Sequence, residues 1–240
     1  DIEKIKQVVK KEYEEDRGKI NNCNKCDNLR WYRISGAKPI KCECSRDDLT
    51  QHEKTLLSWS DIPDIKKYTF DSFKTNNKFA VEVKEKTLKW VQDIGQENKP
   101  TQFILFGTNG TGKTHLARAC VNYLVKKDYR GLYISYQRFS LEIEKFNGQD
   151  DERITYIQRL MDIPILIVDE VFFGYENSEY KSSKFEELLL VRYEENKPTL
   201  ITTNAFLDSF STPLVSRIGD KTLTTFIDFN NQKDRRLDHV

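Results

Sequence analysis

Eight consecutive residues, Gly107-Thr108-Asn109-Gly110-Thr111-Gly112-Lys113-Thr114, fit the pattern GxxxxGK[ST] in full. They constrain the fold more than any other feature, because the pattern works only between a buried strand and the start of a helix. Both flanks are in place. Phe103-Ile104-Leu105-Phe106 is a short apolar run ending in glycine, as buried parallel strands often do, and helical periodicity follows the loop to about Lys126. The glycines let successive backbone N–H groups turn inward around a phosphate, and the helix N-terminus adds its partial positive charge at the same point. Lys113 then supplies a point charge to β- and γ-phosphates and Thr114 a hydroxyl to Mg²⁺. The segment therefore predicts an ATP site.

Helix and strand alternate from about residue 78. Residues 78–94 carry Phe79, Val83, Leu88, Val91 and Ile94 at helical spacing. Further strands are expected at Leu132-Tyr133-Ile134, Ile165-Leu166-Ile167-Val168 and Thr199-Leu200-Ile201-Thr202, and a fifth from Thr222 to Ile227. Strands separated by helices imply right-handed crossovers and a parallel sheet covered on both faces, hence an α/β fold. No apolar run approaches the roughly 20 residues of a membrane span, and no signal-peptide core is present. A cytoplasmic protein without membrane contact is expected, although the numbering begins at Asp1 rather than Met, as it would inside a longer product. The formal net charge of +1 supplies no global field for nucleic acid, so such contacts must come from a local patch or from several subunits together.

Two more elements belong with the glycine loop. The third apolar run ends in Asp169-Glu170, at the sheet edge where ligands sit in open α/β folds. Asp169 is suited to the Mg²⁺ shell and Glu170 to orienting and deprotonating the attacking water. The fourth run ends in Thr202-Thr203-Asn204, where an amide side chain can reach the γ-phosphate or the water. Cys120, among Ala117, Ala119, Val121 and Leu124, reads as a buried structural thiol.

These elements in this order resemble the AAA+ ATPases, and more narrowly the DnaC/DnaI-type helicase loaders and their IstB-like transposition relatives. The narrower likeness rests on Phe103 to Leu116, Ile165 to Glu170, Arg192-Tyr193, and Pro198 to Asn204. It also rests on Ile62-Pro63 with Tyr68-Thr69-Phe70-Asp71-Ser72-Phe73, and covers roughly residues 58–240. The resemblance implies a P-loop AAA+ core with a five-stranded parallel sheet. A C-terminal lid is expected to be absent or minimal, since residues 205–240 are too few for one. It implies that Asn204 acts as a sensor and that Arg217, in Ser216-Arg217-Ile218, is an arginine finger reaching a neighbouring subunit's site. Arg235 would be the second-sensor residue, with the adjacent Arg236 as the alternative. Tyr136 to Phe146 falls where the family contacts single-stranded DNA: Tyr136, Arg138, Phe139, Lys145 and Phe146 suit stacking and phosphate contact, while an amphipathic helix with a charged outer face accounts for them equally well. After Glu170, the sequence Val171-Phe172-Phe173-Gly174 is bulkier than the family pattern, which suggests packing on a partner.

Ahead of this core, Cys23-x-x-Cys26, fifteen intervening residues and Cys42-x-Cys44 approach a four-cysteine zinc site, with His52 as a substitute ligand. Trp31, Tyr32, Ile34 and Ile40 would fill its small core, and metal would supply stability that so short a module cannot reach by burial. The expected organisation is residues 1–52 for an N-terminal helix and zinc-binding module, 53–77 for a linker pinned by its aromatics, and 78–240 for the ATPase domain. What the resemblance implies is a self-associating ATPase that loads a replicative DnaB-type helicase onto single-stranded DNA. The alternatives are an IstB-like regulator of transposition on duplex DNA and a stand-alone ATPase switch.

Overall fold

The computed structural model describes strand pairing at residues 31–32 and 40–41, and then residues 62, 65–127, 129–146, 148, 150–172, 179–205, 209–232 and 234. The chain divides into two compact units. In the smaller, β1 (Trp31–Tyr32) and β2 (Ile40–Lys41) form an antiparallel ribbon with Trp31 opposite Lys41 and Tyr32 opposite Ile40. The four clustered cysteines, His52 and the expected N-terminal helix lie outside the described residues. Among the described residues, no group of three or more His, Cys, Asp or Glu could hold a metal ion, and no helix is long and apolar enough to cross a membrane.

The larger unit runs α1 (Lys78–Asp93), β3 (Gln102–Phe106), α2 (Lys113–Lys126), β4 (Gly131–Ser135), α3 (Tyr136–Lys145) and α4 (Asp150–Asp162). It continues with β5 (Ile165–Val171), α5 (Glu179–Glu194), β6 (Thr199–Thr203), α6 (Thr212–Ile218) and β7 (Thr224–Asp228). Its five strands are parallel in the order β4-β5-β6-β3-β7. The last strand begins at Thr224 rather than Thr222, because Asp220 draws the Thr222 amide into a turn (2.8 Å) and only then does the ladder start.

Every residue of β3 and β6 is buried, Gln102, Thr199, Thr202 and Thr203 included, so both faces of these strands are covered. The two-residue period instead sorts side chains between two cores. Ile165 and Ile167 of β5 join Phe103, Leu105 and the faces of α1 and α2, whereas Leu166 and Val168 join α3, α4, α5 and α6 on the other side. Segment 62–73 belongs to the first core: Ile62, Ile65, Phe70 and Phe73 are buried there, and the amide of Asn122 on α2 donates to the Ile65 carbonyl at 3.1 Å. Asn77 caps α1 by accepting the Ala80 amide at 2.7 Å. Cys120 is fully buried, and burial pushes its thiol pKa upward, away from reactive thiolate.

Two expectations change. Tyr136 and Phe139 are fully buried in the second core, stacked on each other at 5.9 Å, and so are unavailable to nucleobases. Arg138 and Lys145, on the same helix, both pair with Glu142. Val171 and Phe172 likewise serve this chain's own core rather than a partner: Val171 is fully buried, and Phe172 packs on Phe210 and Tyr136 at 4.9 and 5.1 Å, while Phe173 and Gly174 lie outside the described residues.

A buried cation closes the opposite end of the sheet. Arg192 on α5 is fully buried and donates to the carbonyls of Leu160 (3.0 Å), Met161 (3.1 Å), Ile163 (2.7 Å) and Pro198 (2.8 Å), and to the Thr199 hydroxyl (2.9 Å). It thereby binds the end of α4 to the starts of β5 and β6. Burial lowers its pKa to about 9, which still leaves a cation at neutral pH. Arg192→Met would strand four carbonyls and is expected to cost about 3–5 kcal/mol, measured by urea denaturation. A loss below about 1 kcal/mol would show that the clamp is not needed.

Candidate nucleotide-binding site

The glycine loop is gripped from both sides of β3. The Gly107 amide donates to the Thr203 carbonyl at the end of β6 (3.0 Å), and the Phe229 amide after β7 donates to the Phe106 carbonyl (2.7 Å). Gly107 has φ +129°, and a Cβ there would meet the Asn230 nitrogen at 2.7 Å, so only glycine lets β7's end pass this close. At Gly110, a Cβ would overlap the Asp234 carboxylate. Gly112 caps α2 at φ +104° without a side-chain cap hydrogen bond, at the positive end of the helix dipole, where anions are favoured. Thr111 is buried and ties back to the Thr108 carbonyl at 2.9 Å. Lys113, 8% exposed, lies inside the loop with its ammonium donating to the Gly107 and Thr108 carbonyls, each at 2.6 Å. An incoming phosphate would meet a cation already held in register.

Asp169 ends the unbroken buried run Ile165–Asp169 of β5 and is itself 1% exposed. Its Oδ1 accepts the Thr114 hydroxyl at 3.1 Å and also the Thr202 hydroxyl; its Oδ2 accepts the Tyr133 phenol at 2.5 Å. A hydroxyl and a carboxylate oxygen side by side are hard donors of the kind Mg²⁺ takes, so the pair fits the expected metal shell. The next residue, Glu170, is exposed and adopts φ +58°, a left-handed conformation that a non-glycine residue holds at a cost of about 1–3 kcal/mol. Thr202 fixes it there by accepting the Glu170 amide at 2.9 Å. One threonine on β6 thus orients both members of the acidic pair.

A cleft of about 620 Å³, well inside the range of small-molecule sites, gathers Asn109 to Thr114, Glu170 and Asn204. Gly107 and Thr108 begin the same loop, and Asp169 touches it through Thr114. Arg217 does not line the cleft: it lies on α6, 3.9 Å from Glu194. Arg235 and Arg236 lie outside the described residues. The other wall was not legible as a site in the sequence. It consists of Tyr68, Ser72, Phe73 and Lys74, joined by His115 and Arg118 of α2. The His115 ring is edged by Tyr68 at 5.5 Å and Phe73 at 5.4 Å, and its Nε2 lies 3.1 Å from the Thr69 carbonyl, which docks this wall on the helix that starts at the loop. A buried aromatic segment gives no sign in sequence of which side chain will face a cavity.

This is the architecture of a P-loop nucleotide-binding core of the AAA+ type. More narrowly, the chain belongs to the IstB-like ATP binding protein family, which matches residues 43–230. Among solved structures, DnaI aligns with a TM-score of 0.59 at 20% identity, over 71% of this chain and 97% of that one. The DnaC helicase loader aligns with a TM-score of 0.56 at 19% identity, over 69% and 99%. At such identities the likeness is one of fold. The chromosomal replication initiator protein DnaA of Onion yellows phytoplasma (strain OY-M) is 33% identical over 112 residues, 44% of this chain but 20% of that protein. The chain spans a fifth to a third of the length of the curated relatives it matches.

Gly107→Ala is expected to lose about 2 kcal/mol or more of stability, since both the backbone conformation and the Phe229–Asn230 backbone must shift. Thermal unfolding checks this, and a melting temperature within about 1 °C of the wild type would contradict the close approach.

Proposed function

We propose that this protein is an ATP-hydrolysing switch that loads a replicative DnaB-type helicase onto single-stranded DNA. The observation that carries the ATPase part is the meeting of Thr114 and Asp169 at 3.1 Å beside an exposed Glu170 in the cleft of the glycine loop. Lys113 and the loop amides would bind the β- and γ-phosphates. Thr114 and Asp169 would hold Mg²⁺, which when bound neutralises charge developing on the phosphates. Glu170 would take a proton from the attacking water, and Asn204 would fix that water or the γ-phosphate. Arg217, outside its own cleft, would complete the site of a second copy, so turnover would depend on self-association. Arg235 would serve as the second sensor.

Helicase loading is favoured by the alignments to DnaI and the DnaC helicase loader, which extend over nearly the whole of those chains. We assign Cys23, Cys26, Cys42 and Cys44 to a Zn²⁺ site, because four thiolates are a closed tetrahedral donor set. Residues 1–52 would then form the helicase-binding module, 53–77 its connection, and 78–240 the ATPase domain. A second reading, a regulator of transposition on duplex DNA, is kept because the matching family is that of IstB-like ATP binding proteins.

Lys113→Ala is expected to lower ATP affinity at least tenfold, while Glu170→Gln keeps binding and loses turnover by about a hundredfold or more. Calorimetry and phosphate release measure the two, and tight ATP binding by the Lys113 variant would sink the assignment. Native mass spectrometry of the full chain with a replicative helicase, with and without ATP and Mg²⁺, tests loading. The expected outcome is one zinc per chain and a defined complex that is lost on removing residues 1–46. No complex in any nucleotide state would favour the transposition reading.

A further inference from the structure

Asp169 has one carboxylate oxygen committed to Thr114 and Thr202, and the identity of the group on its other oxygen decides how firmly it is aimed. That group is Tyr133, from the neighbouring strand β4 and itself 1% exposed. Ser135 pairs with Asp169 in the ladder, so Tyr133, two residues earlier, projects from the same face. Its phenol has one proton and donates it to Oδ2 of Asp169. The phenol's lone pair accepts Nε–H of Arg118 at 3.2 Å. Arg118 lies one helical turn beyond Thr114 and covers the ring of Tyr68 at 4.8 Å, a residue of the cleft wall. Burial first, and the Asp169 charge after it, push the Tyr133 pKa upward, so the phenol keeps its proton at physiological pH.

Arg118 can only donate, so Tyr133 must turn its own proton toward Asp169. A carboxylate restrained on both oxygens cannot rotate about its terminal torsion, and Oδ1 stays on the Thr114 side. We propose that Tyr133, held by Arg118, is a positioning residue for the metal-binding carboxylate. The relay Tyr68–Arg118–Tyr133–Asp169 couples the wall of the cleft to the Mg²⁺ shell. The inference rests on the ATP–Mg²⁺ reading above and assigns no contact between Tyr133 and nucleotide. A merely structural tyrosine would alter stability and nucleotide affinity alike; a positioning residue alters the metal dependence.

Equilibrium binding of a fluorescent ATP analogue to the full chain, titrated with Mg²⁺ or in EDTA, separates these. Tyr133→Phe is expected to leave affinity in EDTA within about twofold and to raise the Mg²⁺ concentration for half-maximal effect by about tenfold. Arg118→Met should move it the same way by about threefold, and the double variant should be no worse than Tyr133→Phe alone, because Arg118 acts through the phenol. If Tyr133→Phe fails to fold, Arg118→Met carries the test. Wild-type Mg²⁺ dependence in the variants, equal losses with and without metal, or additive effects in the double variant would each overturn the relay. A wild-type affinity indifferent to Mg²⁺ would overturn the metal-dependent reading, and the relay with it.

Discussion

A carboxylate buried as deeply as Asp169 is tolerable only if donors surround it, because an unpaired ion away from water costs several kcal/mol. The larger unit meets that demand with three hydroxyls from three different elements: Thr114 at the start of α2, Tyr133 in β4 and Thr202 in β6. The requirement works as a registration device. Glycine loop, acidic pair and the strand that leads into Asn204 cannot slide relative to one another without exposing or orphaning the charge.

Arg192 plays the complementary part at the other end of the strands. Where Asp169 collects hydroxyl donors, Arg192 collects carbonyl acceptors from the end of α4 and the start of β6. Two opposite buried charges, each satisfied by hydrogen bonds rather than by the other, pin the sheet at both ends. One of the left-handed non-glycine residues, Glu170, sits at the cleft, where the side chain is exposed and chemistry is expected.

Aromatic residues divide between the two cores in a way that changes what is left for partners. Tyr136, Phe139 and Phe172 all turn inward and pack with Phe185. The surface of α3 therefore offers charge, already shared with Glu142, and little stacking area. Any nucleic-acid contact by this helix would be electrostatic and salt-sensitive.

The glycine loop, Asp169-Glu170, Asn204 and all five strands, three of them within a residue of their bounds, were legible in the sequence alone, because their signals are local. A phosphate loop needs particular backbone conformations over eight adjacent residues, and a buried parallel strand needs a continuous apolar run. The roles of Tyr133, Thr202, Arg118 and Arg192, the aromatic wall of the cleft, and the inward turn of Tyr136 and Phe139 were decided only by tertiary structure. Each depends on which residue distant in the chain arrives opposite. A strand tyrosine or threonine reads the same in sequence whether its hydroxyl meets a carboxylate or water. Strand order brings Tyr133 and Thr202 to either side of Asp169, and that order is set by how crossovers pack two cores, not by any one segment.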